Sequence, residues 1–359
     1  MQQSSSFLQN AWRRLKKNKG AIAGLIIISL SVLVGIFAYF LGTDSTPNAD
    51  RQIVEIQARK PGYTQLLLKV KKERLIPSTG FFYRLLFGAE DQYLYVPINS
   101  FTETGDSVYV EKYIDEDLQE KEAFAKSSLP ENFIVSKTFW LGTDKFGRDI
   151  LSRLLVGVRV SLSVGLITVL ISLSIGIFLG AIAGYYGGKT DNIIIWFINV
   201  IWSIPTLLLV FGITLTLGKG FWQIFIAVGL TMWVSVARVV RGQVLALREM
   251  EYIQAAKALG LKNLRIIIRH ILPNVMGPVI VIAAANFASA IIIEAGLSFL
   301  GVGIQPPTPS WGLMIKENYN FIITHNPALA LAPGIAIMVL VLAFNLLGNG
   351  LRDALDVRR

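Results

Sequence analysis

Apolar and polar positions along this chain fall in long blocks rather than short ones. Residues 21–41, 160–185, 193–217, 221–240, 275–295 and 328–347 each form an apolar run of 20 or more residues with almost no charge. A helix needs about that length to cross a hydrocarbon core about 30 Å thick, so the pattern predicts six transmembrane helices. The first two runs are separated by a long polar segment. Within it "YLYVPI" and "SVYVEKYI" alternate as strands do, while "DEDLQEKEAFAKS" reads as an exposed helix. This predicts a small α+β or β-rich unit, either a binding surface or a spacer, set into an otherwise all-α membrane protein. A second polar interruption, "EYIQAAKALGLKNLRIIIRHILPN" at residues 251–274, is helical in pattern and too polar to span.

Composition agrees with the pattern and charge orients it. The 359 residues are 53% hydrophobic, with a mean hydropathy of +0.54, above what a soluble core needs. The net charge of +10 would fit a nucleic-acid partner only if its placement had no other cause. It has one: Arg13, Arg14, Lys16, Lys17 and Lys19 precede the first span, which sets the N-terminus in the cytoplasm. The cluster from Arg238 to Arg269 and the tail with Arg352, Arg358 and Arg359 then also fall inside, and "LGKGF" with Lys219 falls outside. Nucleic acid is not needed as a partner, and lipid is. The first run is too long for a signal-peptide core and lacks a clear cleavage site, so it reads as a retained span. Residues 43–137, outside, hold 15 of the 24 acidic residues. The predicted organisation is a cytoplasmic N-terminus and first helix over 1–42, an extracytoplasmic insertion over 43–140, an amphipathic segment over 141–159, a transmembrane core over 160–348 and a cytoplasmic tail over 349–359. With no cysteine there is no disulfide or thiolate site, and His270 and His325 are too isolated to suggest a metal.

Three stretches carry information beyond topology. In the first, Ala255, Ala256 and Leu259 can share one helical side, Gly260 suits a helix end, and a second helix runs from about Leu264 until Pro273 stops it. The small residues leave room for a partner to approach; the same element also fits an amphipathic helix resting on headgroups. In the second, "LGTDKFGRDILSRLLVGVRVSL", Thr143 or Asp144 can cap a helix striped by Ile150, Leu151, Leu154, Leu155 and Val158. Arg148, Ser152 and Arg153 lie off that stripe. This predicts an amphipathic helix on the outer membrane surface, or an element that gates or docks a receptor. The third, "EAGLSFLGVGIQPPTPSWG", reads as an extended external loop, with Trp311 anchored at the interface. Its Glu294 stands at headgroup level or meets a peptide amino group. A fourth stretch, "GYYGGKT", imitates the end of a phosphate loop, but Ala183 stands where its first glycine is required and no strand precedes it. Convergent acids, a His pair or a nucleophile at membrane depth are missing, which argues against a membrane enzyme. An ion-coupled secondary transporter is left open, against the scarcity of acids and repeats.

"QAAKALG" followed by "HILP" resembles the EAA signature of ABC importer permeases, with Ala255, Ala256, Gly260, Leu272 and Pro273 on pattern positions. Gln254 replaces the usual Glu, and His270 the usual Ile. "RHILPN" and the two other stretches are similar to the C-type permease subunits of dipeptide, oligopeptide and nickel importers, as is "FNLLGNGLRDALD", in which Asn349 replaces the usual Asp. The resemblance is loose over the first span and close over 141–357, and the insertion stands outside it. It implies the type I ABC importer fold of about six transmembrane helices in the bacterial inner membrane, and translocation of peptides, or alternatively of nickel or another solute. Glu251, Gln254, Ala255, Ala256, Gly260, Leu272 and Pro273 would couple to cytoplasmic ABC ATPase subunits, which bind ATP and Mg; this chain holds no cofactor and performs no catalysis. A second homologous permease subunit and an extracytoplasmic substrate-binding protein are the other implied partners. No residue is assigned to substrate.

Overall fold

In hydrocarbon a chain must satisfy its own backbone, and a long uncharged apolar run does so as a helix. The computed structural model, which describes residues 7–355 apart from 75, 116, 117, 219, 324 and 325, follows that rule. Lys219, His325, Arg358 and Arg359 lie outside the described residues. In chain order, α1 (Phe7–Lys17), α2 (Lys19–Ile36) and α3 (Ala38–Leu41) lead into the insertion. There β1 (Tyr63–Lys71), α4 (Phe81–Phe87), β2 (Tyr93–Thr104), β3 (Ser107–Tyr113), β4 (Gln119–Ala125) and β5 (Ile134–Phe139) follow. The remainder is helical: α5 (Ile150–Tyr186), α6 (Gly188–Trp202), α7 (Thr206–Leu217), α8 (Phe221–Arg248), α9 (Glu251–Ala258), α10 (Asn263–Ile266), α11 (Leu272–Leu300), α12 (Trp311–Asn318) and α13 (Ala328–Leu355).

The chain divides into two units. One comprises Met1–Ser31, Ser161–Gln305 and Ile337–Arg359. Its centre is the packing of α5 on α8, set by glycines recurring every four residues. A β-carbon at Gly176, Gly180 or Gly184 would fall 2.5, 2.6 or 2.8 Å from atoms of Val236, Ala237 or Arg241, so the two helices approach closely, as small residues allow in membranes. The contacts ascend together along both helices, which are therefore parallel. Arg248, ending α8, donates to the carbonyls of Gly184 at 3.4 Å and Tyr185 at 3.2 Å, at the end of α5. Between two parallel spans the chain must return across the membrane, and only α6 and α7 are available. Residues 193–217, expected as one straight span, are accordingly a broken one, bent by 90° between Trp202 and Thr206. Pro205, which has no N–H and disfavours helix at Ile204, accounts for the break. With five unbroken helices long and apolar enough to cross among the described residues, the bent pair taken as one span brings the count there to six. The start of α2 and the end of α13 also share a face: Asn18 Nδ2 lies 3.3 Å from Asp353 Oδ2, and Leu15 and Ala21 pack with Ala354.

The other unit comprises Val32–Val160 and Pro306–Ala336. It contains the expected β-rich body, a five-stranded sheet in the order β4-β3-β2-β1-β5, antiparallel throughout. Interior strand β1 places Leu67 opposite Pro97 of β2 and Val135 of β5. Its leucines serve both faces: Leu67 packs with Ile53, Ile56 and Phe139, and Leu68 with Ile98, Val108 and Val110. The stretch expected as an exposed helix forms edge strand β4 instead, with Glu122 opposite Val110 and Phe124 opposite Val108. Pairing with β3 outweighs the local helical preference, and the charged Glu120, Lys121 and Glu122 blunt the outer edge.

Candidate functional site

The element between α8 and α11 keeps one face for its own core. Ile253 and Ala256 of α9 are buried with Val240, Val244, Ile266, Ile271 and Val275. Ala255 and Leu259 point away, Leu259 being 80% exposed. The three residues expected on one side are thus split, because positions 255 and 256 stand 100° apart on a helix. The outward face combines the small Ala255 and Ala258 with exposed Met250, Tyr252, Leu259, Leu264 and Ile268. Glu251 is exposed in the first turn of α9, and Gln254 Nε2 donates to the Arg248 carbonyl at 2.9 Å.

Gly260 ends α9 as anticipated. Its φ of +76° is left-handed, its N–H bonds to the Lys257 carbonyl at 2.9 Å, and the Leu261 N–H reaches back to Ala256 at 3.2 Å, the paired closure of a Schellman motif. Among the described residues, nothing beyond its immediate chain neighbours lies within 4 Å of where its β-carbon would be, so the space beside it is open.

Pro273 does not stop the second helix. The chain passes from α10 through a π-helical turn, Ile267–Ile271, straight into α11. The widened turn accommodates the missing N–H and bulk of the proline ring, and Asn274 Nδ2 donates to the His270 carbonyl at 2.7 Å. Leu272 packs on the core below and Pro273 is exposed. The whole element is also tied to α5, where Tyr185 donates to Asn263 Oδ1 at 2.9 Å and Lys257 Nζ lies 5.3 Å from the Tyr185 ring centroid. It is fastened to three spans at once. On the same side, a cavity of about 910 Å³ opens between α8, α11 and α13, lined by Val239, Gln243, Pro278, Asn286 and Arg352 among others.

Residues 141–162 are not a surface helix. At about 1.5 Å per residue, the 37-residue α5 is about 55 Å long, far more than a bilayer core needs. Its first turns therefore extend the second span beyond the hydrocarbon. Asp149 begins it, accepting from the Ser152 N–H at 3.2 Å. Thr143 and Asp144, expected as caps, build the preceding turn, where Asp144 Oδ1 accepts from the N–H groups of Phe146 and Arg148.

The arginines expected on the wet side of that helix are buried, Arg148 at 2% and Arg153 at 0% exposure. Arg148 reaches Asp144 through Nε at 2.6 Å, Asp50 through Nη1 at 3.0 Å and Glu317 through Nη2 at 2.7 Å. Arg153 lies 3.5–3.9 Å from the same three carboxylates. Burial alone would lower the Arg148 pKa, but Asp144 and Glu317 outweigh it and hold the group above its ordinary value. Trp311 belongs to this unit's interior rather than a headgroup layer: it is 2% exposed and donates through Nε1 to the Leu154 carbonyl at 3.0 Å. Glu294 is likewise no headgroup anchor. It is fully buried, accepts from Ser298 Oγ at 2.6 Å, and Ser298 in turn accepts from the Ile304 N–H. The loop that was to begin there starts only after Gly301, because α11 runs on to Leu300.

Known proteins share this arrangement of sequence. Residues 176–359 match the family described as binding-protein-dependent transport system inner membrane component. Residues 6–61 match the N-terminal TM domain of oligopeptide transport permease C. The dipeptide transport system permease protein DppC of Alkalihalophilus pseudofirmus is 46% identical over 62% of this chain and 72% of its own length. The oligopeptide transport system permease protein OppC of Bacillus subtilis is 41% identical over the same shares. DppC of Bacillus subtilis is 34% identical over 98% of this chain and 86% of its own, an alignment too long to leave out the insertion, which therefore does have a counterpart in a relative.

Proposed function

Because the chain belongs to the binding-protein-dependent transport system inner membrane components, as a permease subunit of the DppC and OppC kind, we propose that it forms part of the passage by which an ABC importer carries peptides across the cytoplasmic membrane. It is a multi-pass membrane protein and a permease component rather than a catalytic subunit. The partners in this reading are a second, related permease subunit, an external peptide-binding protein and cytoplasmic ATPases that hold ATP and Mg.

The observation that carries the proposal is the outward face of α9 and α10, apolar around small residues and open at Gly260. An ATPase groove would receive that face. The element is fastened to α5, α8 and α11, so displacement of α9 by a closing ATPase pair would tilt three spans together, a rigid-body route from nucleotide state to passage. The cavity between α8, α11 and α13 would then belong to the inner half of the peptide route. Its few polar groups, Gln243, Asn286 and Arg352, in an apolar wall are of the kind that orient a ligand.

Two experiments test this reading. Purified with its partners and reconstituted in vesicles, the complex should take up labelled dipeptide only with ATP, and ionophores that collapse ion gradients should leave uptake within about twofold, under 0.5 kcal/mol in barrier terms. Uptake driven by a gradient without ATP would overturn it. The orientation is tested separately at Asp106, exposed in the β2–β3 turn. In this cysteine-free chain, Asp106→Cys should react with an impermeant thiol reagent in cells stripped of any outer barrier. Reaction only after the cytoplasmic membrane is opened would reverse the topology.

A further inference from the structure

Helix α4, "FFYRLLF", does not look like part of a soluble insertion. None of its seven residues is buried; Phe82 is 78% exposed, and Phe81, Tyr83, Leu86 and Phe87 are each more than half exposed. So concentrated an apolar surface implies a covering.

Its position indicates which. The Phe81 ring lies 5.4 Å from that of Phe40, at the end of the first span, and the Arg84 guanidinium lies 5.0 Å from the same Phe40 ring. Arg159 Nη1 donates to the Leu85 carbonyl at 3.1 Å, and Arg159 directly precedes the apolar run of the second span. Gly88 closes the helix with φ +79°, and a β-carbon there would fall 2.8 Å from the Ser45 carbonyl and 3.0 Å from the Tyr39 ring. So α4 is held where two spans leave the hydrocarbon. Its apolar surface continues that of the first span, through exposed Leu33, Ile36, Phe37, Phe40 and Leu41. The chain leading into it carries Lys71, Lys72 and Arg74 with Glu73 among them, a net positive run suited to anionic headgroups.

We infer that α4 is an interfacial membrane helix: its aromatic residues enter the headgroup and upper acyl region of the leaflet next to the insertion and moor the five-stranded sheet to the bilayer surface. Rings and leucines around one arginine, at the mouth of a span, are the composition such helices use. The inference requires only that the spans cross a bilayer, and would stand if the transport reading fell.

Phe82→Cys, labelled with an environment-sensitive fluorophore, tests it in the full chain with its co-purified partners, in vesicles of mixed phosphatidylcholine and phosphatidylglycerol. Asp106→Cys, labelled alike, is the aqueous control. The Phe82 probe should emit to the blue of the control. Lipids spin-labelled near the headgroup should quench it at least about threefold more than they quench the control, and iodide should quench it less, as at an interface. Water-like emission with strong iodide quenching would overturn the inference. So would shielding from iodide and lipid alike, which would mean that a protein covers the helix.

Discussion

Arg148→Met is expected to destabilise the unit that carries the insertion by about 3–5 kcal/mol, the cost of removing one partner from a buried ionic cluster. Two guanidinium groups face three carboxylates there, Asp50, Asp144 and Glu317. Removing Arg148 leaves three acids against Arg153 alone, with Asp144 1% exposed and unable to recover its lost solvation. The converse change is milder. Glu317→Gln leaves two cations against two acids, and its side chain can still accept from Arg148. Arg148→Lys keeps the charge, but an ammonium cannot span three carboxylates as the fork of Nε, Nη1 and Nη2 does, so it should fall between. Limited proteolysis of the full chain in detergent, followed at cleavage sites within residues 43–160, measures this. Cleavage should accelerate by roughly a hundredfold or more for Arg148→Met, in proportion to the opened population, and far less for Glu317→Gln. Equal rates for the two variants would mean that the cluster's charge balance does not stabilise the unit.

That cluster also shows where sequence stops being legible. The arginines at 148 and 153 stand off the apolar stripe of the helix they flank, and a polar residue off a stripe is ordinarily a solvated one. Only the fold brings Asp50 and Glu317, 98 and 169 residues from Arg148, to the same point. The spans, by contrast, were readable because apolar length is a local property. Even there, Pro205 and Pro273 had opposite effects: one bends a span by 90°, and the other is absorbed by a π turn. Interior strand β1 escaped notice because three consecutive leucines, of which Leu67 and Leu68 are buried on opposite faces of the sheet, show no alternation. Helix α4 was hidden by its neighbours, since six apolar residues around Arg84 are too few to span and sit in a charged segment that reads as soluble.

In the coupling element, the split between Ala255 and Ala256 decides what each substitution should do. Leu259→Asp and Ala255→Glu change only the outward face, so the chain should reach the membrane in normal amount and keep its thermal stability. Loss of an apolar anchor at the middle of an interface typically costs 2 kcal/mol or more, and a misplaced charge adds its own desolvation. Recovery of ATPase subunits with the tagged chain should therefore fall at least about tenfold, which corresponds to roughly 1.4 kcal/mol, and peptide uptake should fall with it. Ala256→Glu should behave differently, because it drives a carboxylate among Val244, Ile253 and Ile271 and lowers the stability of the chain itself. A β-carbon at Gly260 has open space around it, so in Gly260→Asp the left-handed backbone should cost about 1–2 kcal/mol, with any further loss of ATPase binding arising from the partner. If Leu259→Asp and Ala255→Glu both retain the ATPases and transport normally, the outward face is lipid-resting surface and the nucleotide-driven motion enters elsewhere.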